Sequence, residues 1–165
     1  MADDTYTTLA DEGLFGAIGR HTISWAFVES AVEYMVFASH RWAGGDAIEP
    51  EMPWSLESKI KFLRKSFRRL PGFQPFAAEA LPLLEEIKAH SDIRHDLIHG
   101  VVIQHHEGTG EAQMMRLLRE KTKRTAKEFT INTADVLLAA NVANKLGSRA
   151  INIGTRVVAA VAPED

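Results

Sequence analysis

One pattern constrains this chain more than any other. From Leu14 to Trp42 apolar or small residues recur every three or four positions, through Ile18, His21, Trp25, Val28, Val32, Met35 and Ser39. That spacing predicts a single helix with one continuous stripe. At about thirty residues, roughly 40 Å, it is long for a globular protein of this size. Gly44-Gly45 stops it, and Pro50 and Pro53 keep the following residues irregular.

Three further helices follow from the same rule. Ser55 stands where an N-cap belongs, with Leu56, Ile60, Leu63, Phe67 and Leu70 on one face, Lys59, Lys61, Arg64, Lys65, Arg68 and Arg69 on the other, and Pro71-Gly72 as the stop. The third helix is expected from near Pro75 to His99. Its stripe is Phe76, Ala80, Leu84, Ile87 and Ile98, the seam turns polar through Ser91 and Arg94, and Gly100 terminates it. Pro82 either starts its main part or kinks it. The last helix begins at Thr133 and extends to about Val161, with a seam of Ala140, Ala143, Gly147, Ala150 and Gly154. Each helical glycine costs about 1 kcal/mol relative to alanine, so a close backbone approach is expected to compensate.

Between the third and fourth helices the periodicity changes to two. Val101-Val102-Ile103 is β-rich, Glu107 to Glu111 reads as a turn, Met114 to Leu118 can pair back, and Phe129 and Ile131 end a further alternation. Residues 101–131 are therefore expected to form a β-hairpin or three-strand appendage. The fold class is mainly α, a four-helix bundle carrying a small β appendage, in one domain over 1–165.

Composition narrows the chemistry. With 45% hydrophobic and 25% charged residues, the 165 residues suit one well-buried core. A net charge of −3 excludes a uniformly basic nucleic-acid coat, and the lack of cysteine excludes disulfides, thiolate metal sites and cysteine nucleophiles. The first twelve residues carry Asp3, Asp4, Asp11 and Glu12 with no Lys or Arg, the wrong pattern for a secretory signal. No run of about eighteen apolar residues is present to span a bilayer, and Asn141, Asn144, Lys145, Arg149, Asn152 and Arg156 interrupt the last helix. The expectation is a cytoplasmic protein without membrane association.

Five of the seven histidines lie between positions 90 and 106: His90, His95, His99, His105 and His106. Arg94 and His99 stand five apart, about 140° round a helix, yet both can flank one cavity because the Arg side chain is long and His99 occupies the last turn. The pair makes a small phosphodiester-cleaving kit. A guanidinium grips phosphate oxygens through its planar fork, and an imidazole exchanges protons near neutral pH.

The stretch Arg94-His95-Asp96-Leu97-Ile98-His99-Gly100 resembles the R-x(four to six)-H signature of the HEPN superfamily, and the order of elements is similar too. In that family the position after the Arg is frequently Asn or another polar residue; here it is His95. The resemblance implies a metal-independent endoribonuclease, often a toxin or defence effector, whose homodimer sets two motifs across a shared cleft. Arg94 would hold the scissile phosphate. His99 would serve as acid or base while the RNA 2′-OH attacks, leaving a cyclic phosphate, with no metal and no cofactor. An antitoxin or nucleotidyltransferase is the partner that such a toxin implies. The alternative is a non-catalytic module of the same fold that binds RNA or nucleotides or a protein.

Supporting roles fall to His95, Asp96 and Glu29. Glu29, near Glu33 on the first helix, is a candidate to pair with Arg94 and orient it, against a default of solvated face or interhelical salt bridge. The bland reading of Arg94 is a pair with Asp92 or Asp96. His95 and His99, one turn apart, have the spacing to chelate a divalent metal, but no further ligand is identifiable. His105 and His106 are expected on opposite faces of a strand, and His21 in the core. Asn141 and Asn144 are expected to be hydrogen-bonding or surface groups. Twelve of the 19 positive charges fall in two windows, Lys59 to Arg69 and Arg116 to Lys127. Lys59, Arg64, Lys65 and Arg68 are therefore candidate RNA contacts despite the acidic total, against the default of a solvated charged face.

Overall fold

The computed structural model describes residues 9–106, 108–119 and 124–163. In chain order it has α1 (Leu9–Trp42), α2 (Leu56–Arg69), α3 (Ala77–His99), β1 (Val101–His106), β2 (Glu111–Arg119), β3 (Arg124–Asn132) and α4 (Thr133–Val161). The protein is mainly helical, with a three-stranded antiparallel sheet of order β1-β2-β3 between α3 and α4. Asp3, Asp4, Glu107, Glu120, Lys121 and Lys123 lie outside the described residues.

The chain forms two compact units. The first comprises the chain up to Ile23 together with Asp92–Val142; the second comprises Ser24–Ser91 and the chain from Ala143 on.

The second unit is helical. The α2 helix begins at a reciprocal cap, in which the Ser58 amide donates to Ser55 Oγ at 3.1 Å and the Ser55 amide donates to Ser58 Oγ at 3.0 Å. Its apolar face buries Ile60, Phe62, Leu63 and Phe67, and burying a side chain of this size contributes about 1.5–3 kcal/mol. Also buried in this unit are Trp25, Val28, Val32, Met35 and Val36 of α1, Leu83, Leu84 and Ile87 of α3, and Leu146, Ile153 and Val157 of α4. Phe62 and Phe67 are thus core residues. Buried in this core, the Ser39 and Ser66 hydroxyls lie 3.2 Å apart, and the Ser66 hydroxyl also donates to the Phe62 carbonyl at 3.2 Å.

The small-residue seam of α4 is also core: Ala140, Ala143 and Ala150 are buried. The expected close backbone approach is replaced by side chains. A Cβ on Gly147 would stand 2.6 Å from the Phe27 ring, and one on Gly154 would stand 3.2 Å from Met35 and Tyr34. The glycines make room for large α1 side chains, and that packing offsets their propensity cost. Pro82 lies inside α3, where it forgoes one intrahelical hydrogen bond. A short 3-10 turn, Gln74–Phe76, precedes the helix, so Phe76 belongs to that turn.

The first unit packs Leu14 and Ala17 of α1, Leu97 of α3, Ala112 and Met114 of β2 and Val136 of α4, flanked by Ile18, Val102, Phe129, Ile131 and Leu137. The sheet register aligns Met114 with Val102 and Phe129, and Ala112 with Ile131, so alternation presents one apolar face. The ladder of β1 shifts between Val102 and Gln104, which leaves Ile103 without a partner. One expectation is corrected: Ile98 is exposed, and Leu97 is the buried residue at the end of α3. The seam drifts by one position because 3.6-residue periodicity cannot keep an exact three-four alternation over so long a helix.

Gly100 directly follows the end of α3, as expected, and does so without left-handed backbone, since positive φ is found only at Gly44, Gly108 and Gly110 among the described glycines. Its amide donates to Asp96 O at 2.9 Å. A Cβ there would come within 2.8 Å of Met114 and 3.3 Å of Phe129, so the missing side chain lets the sheet close on the helix end. Among the described residues no helix is long and apolar enough to cross a membrane.

Candidate functional site

The last two turns of α3 gather Arg94, His95, Asp96 and His99, all within the first unit. Leu97 anchors this segment in the core, which turns its neighbours toward the surface by degrees. Arg94, His95 and Asp96 are half-buried, whereas His99 in the final turn is exposed. The His95 and His99 rings lie nearly parallel, 20° apart, with centroids separated by 5.9 Å. One helical turn accounts for that spacing.

Asp96 is the organising carboxylate. Arg116 Nη1 donates to Asp96 Oδ1 at 2.8 Å, and Lys127 Nζ donates to Asp96 Oδ2 at 2.6 Å. Arg116 and Lys127 face each other directly across β2 and β3. Two like charges in that register repel, and Asp96 offsets the repulsion by accepting from both. The Lys127 ammonium also lies 5.3 Å from the Phe129 ring centroid. Asp96 also lines a pocket of about 170 Å³ with Ile93, Leu97, Phe129, Thr130, Ile131, Asp135, Val136 and Ala139. Asp96 thus has two partners from the sheet, which the sequence did not indicate. Composition showed the basic window but not Arg116 and Lys127 as specific members of this cluster. Their one available signal was strand register, which depends on loop lengths that the sequence leaves ambiguous.

This assembly makes a positive field around His95. Burial holds its imidazole below the ordinary histidine range, and the nearby charges of Arg94, Arg116 and His99 push the same way, with Asp92 opposing them. His95 is accordingly biased toward the neutral form, able to accept a proton. No group of three or more histidines and carboxylates suited to a metal occurs among the described residues, so nothing there completes the His95–His99 pair as a metal site.

Glu29 belongs to the second unit, where Trp25 Nε1 donates to its carboxylate at 3.1 Å. Glu33 forms an ion pair with Lys59 between α1 and α2. Arg64 pairs with Glu85 at 3.0 Å and Lys65 with Glu49 at 2.6 Å. Arg68 is exposed, and its backbone carbonyl accepts from the Gln74 side chain. Of the α2 residues nominated for RNA, Lys59, Arg64 and Lys65 thus each have a carboxylate at hand. Asn141 and Asn144 are exposed.

The remaining histidines divide. His21 is buried in the first unit, and burial lowers its pKa. His90 belongs to the second unit, with Nδ1 2.9 Å from the Glu86 carbonyl. His40 stacks on Phe62 with centroids 4.9 Å apart. On β1, His105 is half-buried and His106 exposed, as expected of adjacent residues on a strand. No family model, no curated protein and no solved structure matches the chain, so the candidate site stands on its own residues.

Proposed function

We propose that this protein is a HEPN-like, metal-independent endoribonuclease whose site is built on Arg94 and His99. Arg94 binds the scissile phosphate, and His99 exchanges protons as the RNA 2′-OH attacks. The observation that carries the reading is the electrostatic character of the α3 end. Burial and the nearby charges of Arg94, Arg116 and His99 depress the His95 imidazole, and Asp96 is occupied by Arg116 and Lys127. Such a cluster attracts a polyanion locally although the whole chain carries −3. An exposed histidine beside it supplies the acid–base function that cleavage of an RNA backbone requires.

The biological setting in this reading is a toxin or defence effector in the cytoplasm, acting as a homodimer with an antitoxin or nucleotidyltransferase partner. The test is cleavage of single-stranded RNA by purified protein in EDTA. Arg94→Ala and His99→Ala are each expected to lower the rate at least about 100-fold, the usual worth of a positioned acid or base. RNA binding without turnover would instead establish the non-catalytic module. Cleavage that survives both substitutions would remove this site from consideration.

A further inference from the structure

The sequence motif assigns one histidine to the reaction, but the helix end presents two. His95 and His99 are stacked in near-parallel planes one turn apart, with one imidazole half-buried and the other open to solvent. Cleaving an RNA backbone by 2′-OH attack requires two proton transfers, one from the attacking hydroxyl and one to the departing oxygen. A single imidazole must perform both in succession, whereas two can divide them.

We propose that His95 and His99 act as an acid–base pair on RNA, with half-buried His95 as the base and exposed His99 as the acid. The proposal rests on the ribonuclease reading and extends it. His95 removes the proton of the 2′-hydroxyl, whose oxygen forms a bond to phosphorus. The bond from phosphorus to the 5′ oxygen breaks, and protonated His99 gives that oxygen its proton. The products are a 2′,3′-cyclic phosphate and a 5′-hydroxyl, so the atoms balance without metal, water or a redox partner. Arg94 neutralises the phosphorane charge as it develops.

The surroundings fit this division of labour. The charged groups acting on His95 are Arg94, His99 and Asp92 of its own helix and Arg116 of β2; the three cations, with burial, favour neutral imidazole. Asp96 ties Arg116 to the helix and keeps that charge in place. His99, at the exposed helix end, can exchange its proton with solvent between turnovers. Both proton-transfer groups then come from one chain, so this chemistry needs no second motif from a partner subunit.

The deciding experiment is the pH–rate profile for a fluorogenic single-stranded RNA in EDTA. Wild-type protein is expected to give a bell. His95→Gln should lose the acid limb of the bell and fall at least about 100-fold in rate, and His99→Gln should lose the alkaline limb. A His95→Gln protein with wild-type rate and profile overturns the pair but leaves the Arg94–His99 reading standing. A wild-type protein that cleaves nothing overturns both. A second measurement needs no RNA and no His95 substitution. Followed by NMR, the His95 imidazole should titrate at higher pH in His99→Gln than in wild type, because a neighbouring cation has been removed. An unchanged titration overturns the coupling between the rings.

Discussion

The two units handle positive charge in opposite ways. In the second, cations are matched singly across the helices: Lys59 with Glu33, Arg64 with Glu85, Lys65 with Glu49, Arg149 with Glu86 and Arg156 with Glu79. In the first, one carboxylate, Asp96, holds both Arg116 and Lys127, and Arg94, His95 and His99 occupy the same helix end. The basic run with no acidic residue inside it, Lys59 to Arg69, is therefore largely a salt-bridged surface. The less conspicuous cluster at the end of α3, together with burial, lowers the pKa of His95. Charge density along the chain is a poor guide to local potential, because partners distant in sequence decide what remains uncompensated.

The sharpest way to break this comparison is to remove one carboxylate from each unit. Asp96→Asn should cost about 2 kcal/mol in urea unfolding, since its carboxylate is partly shielded and its loss leaves Arg116 and Lys127 opposed. Glu86→Gln removes a bidentate but exposed pair with Arg149 and should change stability by no more than about 0.5 kcal/mol after solvent screening. Equal costs would mean that the shared carboxylate has no special place.

Packing offers a second contrast. Gly147→Ala in the second unit sets a Cβ against the Phe27 ring and should destabilise by about 1–2 kcal/mol despite the better helix propensity. Gly19→Ala, on the part of α1 that belongs to the first unit, meets nothing within 4 Å and should stabilise by about 0.5–1 kcal/mol. Thermal denaturation of the two variants reads the signs directly, and a shared sign would refute the packing argument.

The smallest expected effect is a pH slope. Burial lowers the pKa of His21, so below about pH 6.5 the unfolded chain takes up a proton that the folded one refuses. Stability is then fully present above that pH and declines as pH falls, because the unfolded state binds more protons. His95 contributes with the same sign. His21→Gln should flatten the acid decline without abolishing it. A variant as acid-sensitive as wild type would show that His21 is not held neutral by the fold.

Local patterns made much of this architecture legible. Helix ends at Trp42, His99, Thr133 and Val161 agree with the stop signals and periodicity, and the Ser55 cap was readable because capping is a contact within four residues. The change of period at Val101 likewise announced the sheet. What escaped were relations between distant segments. The apolar position at the end of α3 fell on Leu97 rather than Ile98, and the packing of Met114 and Phe129 against Gly100, which stops the helix as expected, was not visible. At the candidate site, Arg94, His95, Asp96 and His99 were visible as a cluster, being neighbours on one helix. The union of Asp96 with Arg116 and Lys127 was not.

By itself, then, the sequence determined four helices, a strand-forming insertion and a chemistry confined to Arg, His and carboxylates, because these depend on backbone periodicity and composition. Tertiary structure decided which charges stay paired. It drew Lys59, Arg64 and Lys65 into ion pairs, set Arg116 and Lys127 on one carboxylate, and left His95 half-buried in a positive field. The physical reason is range: propensity acts over a few bonds, but Coulomb energy and desolvation depend on distances in space, which only the folded chain fixes.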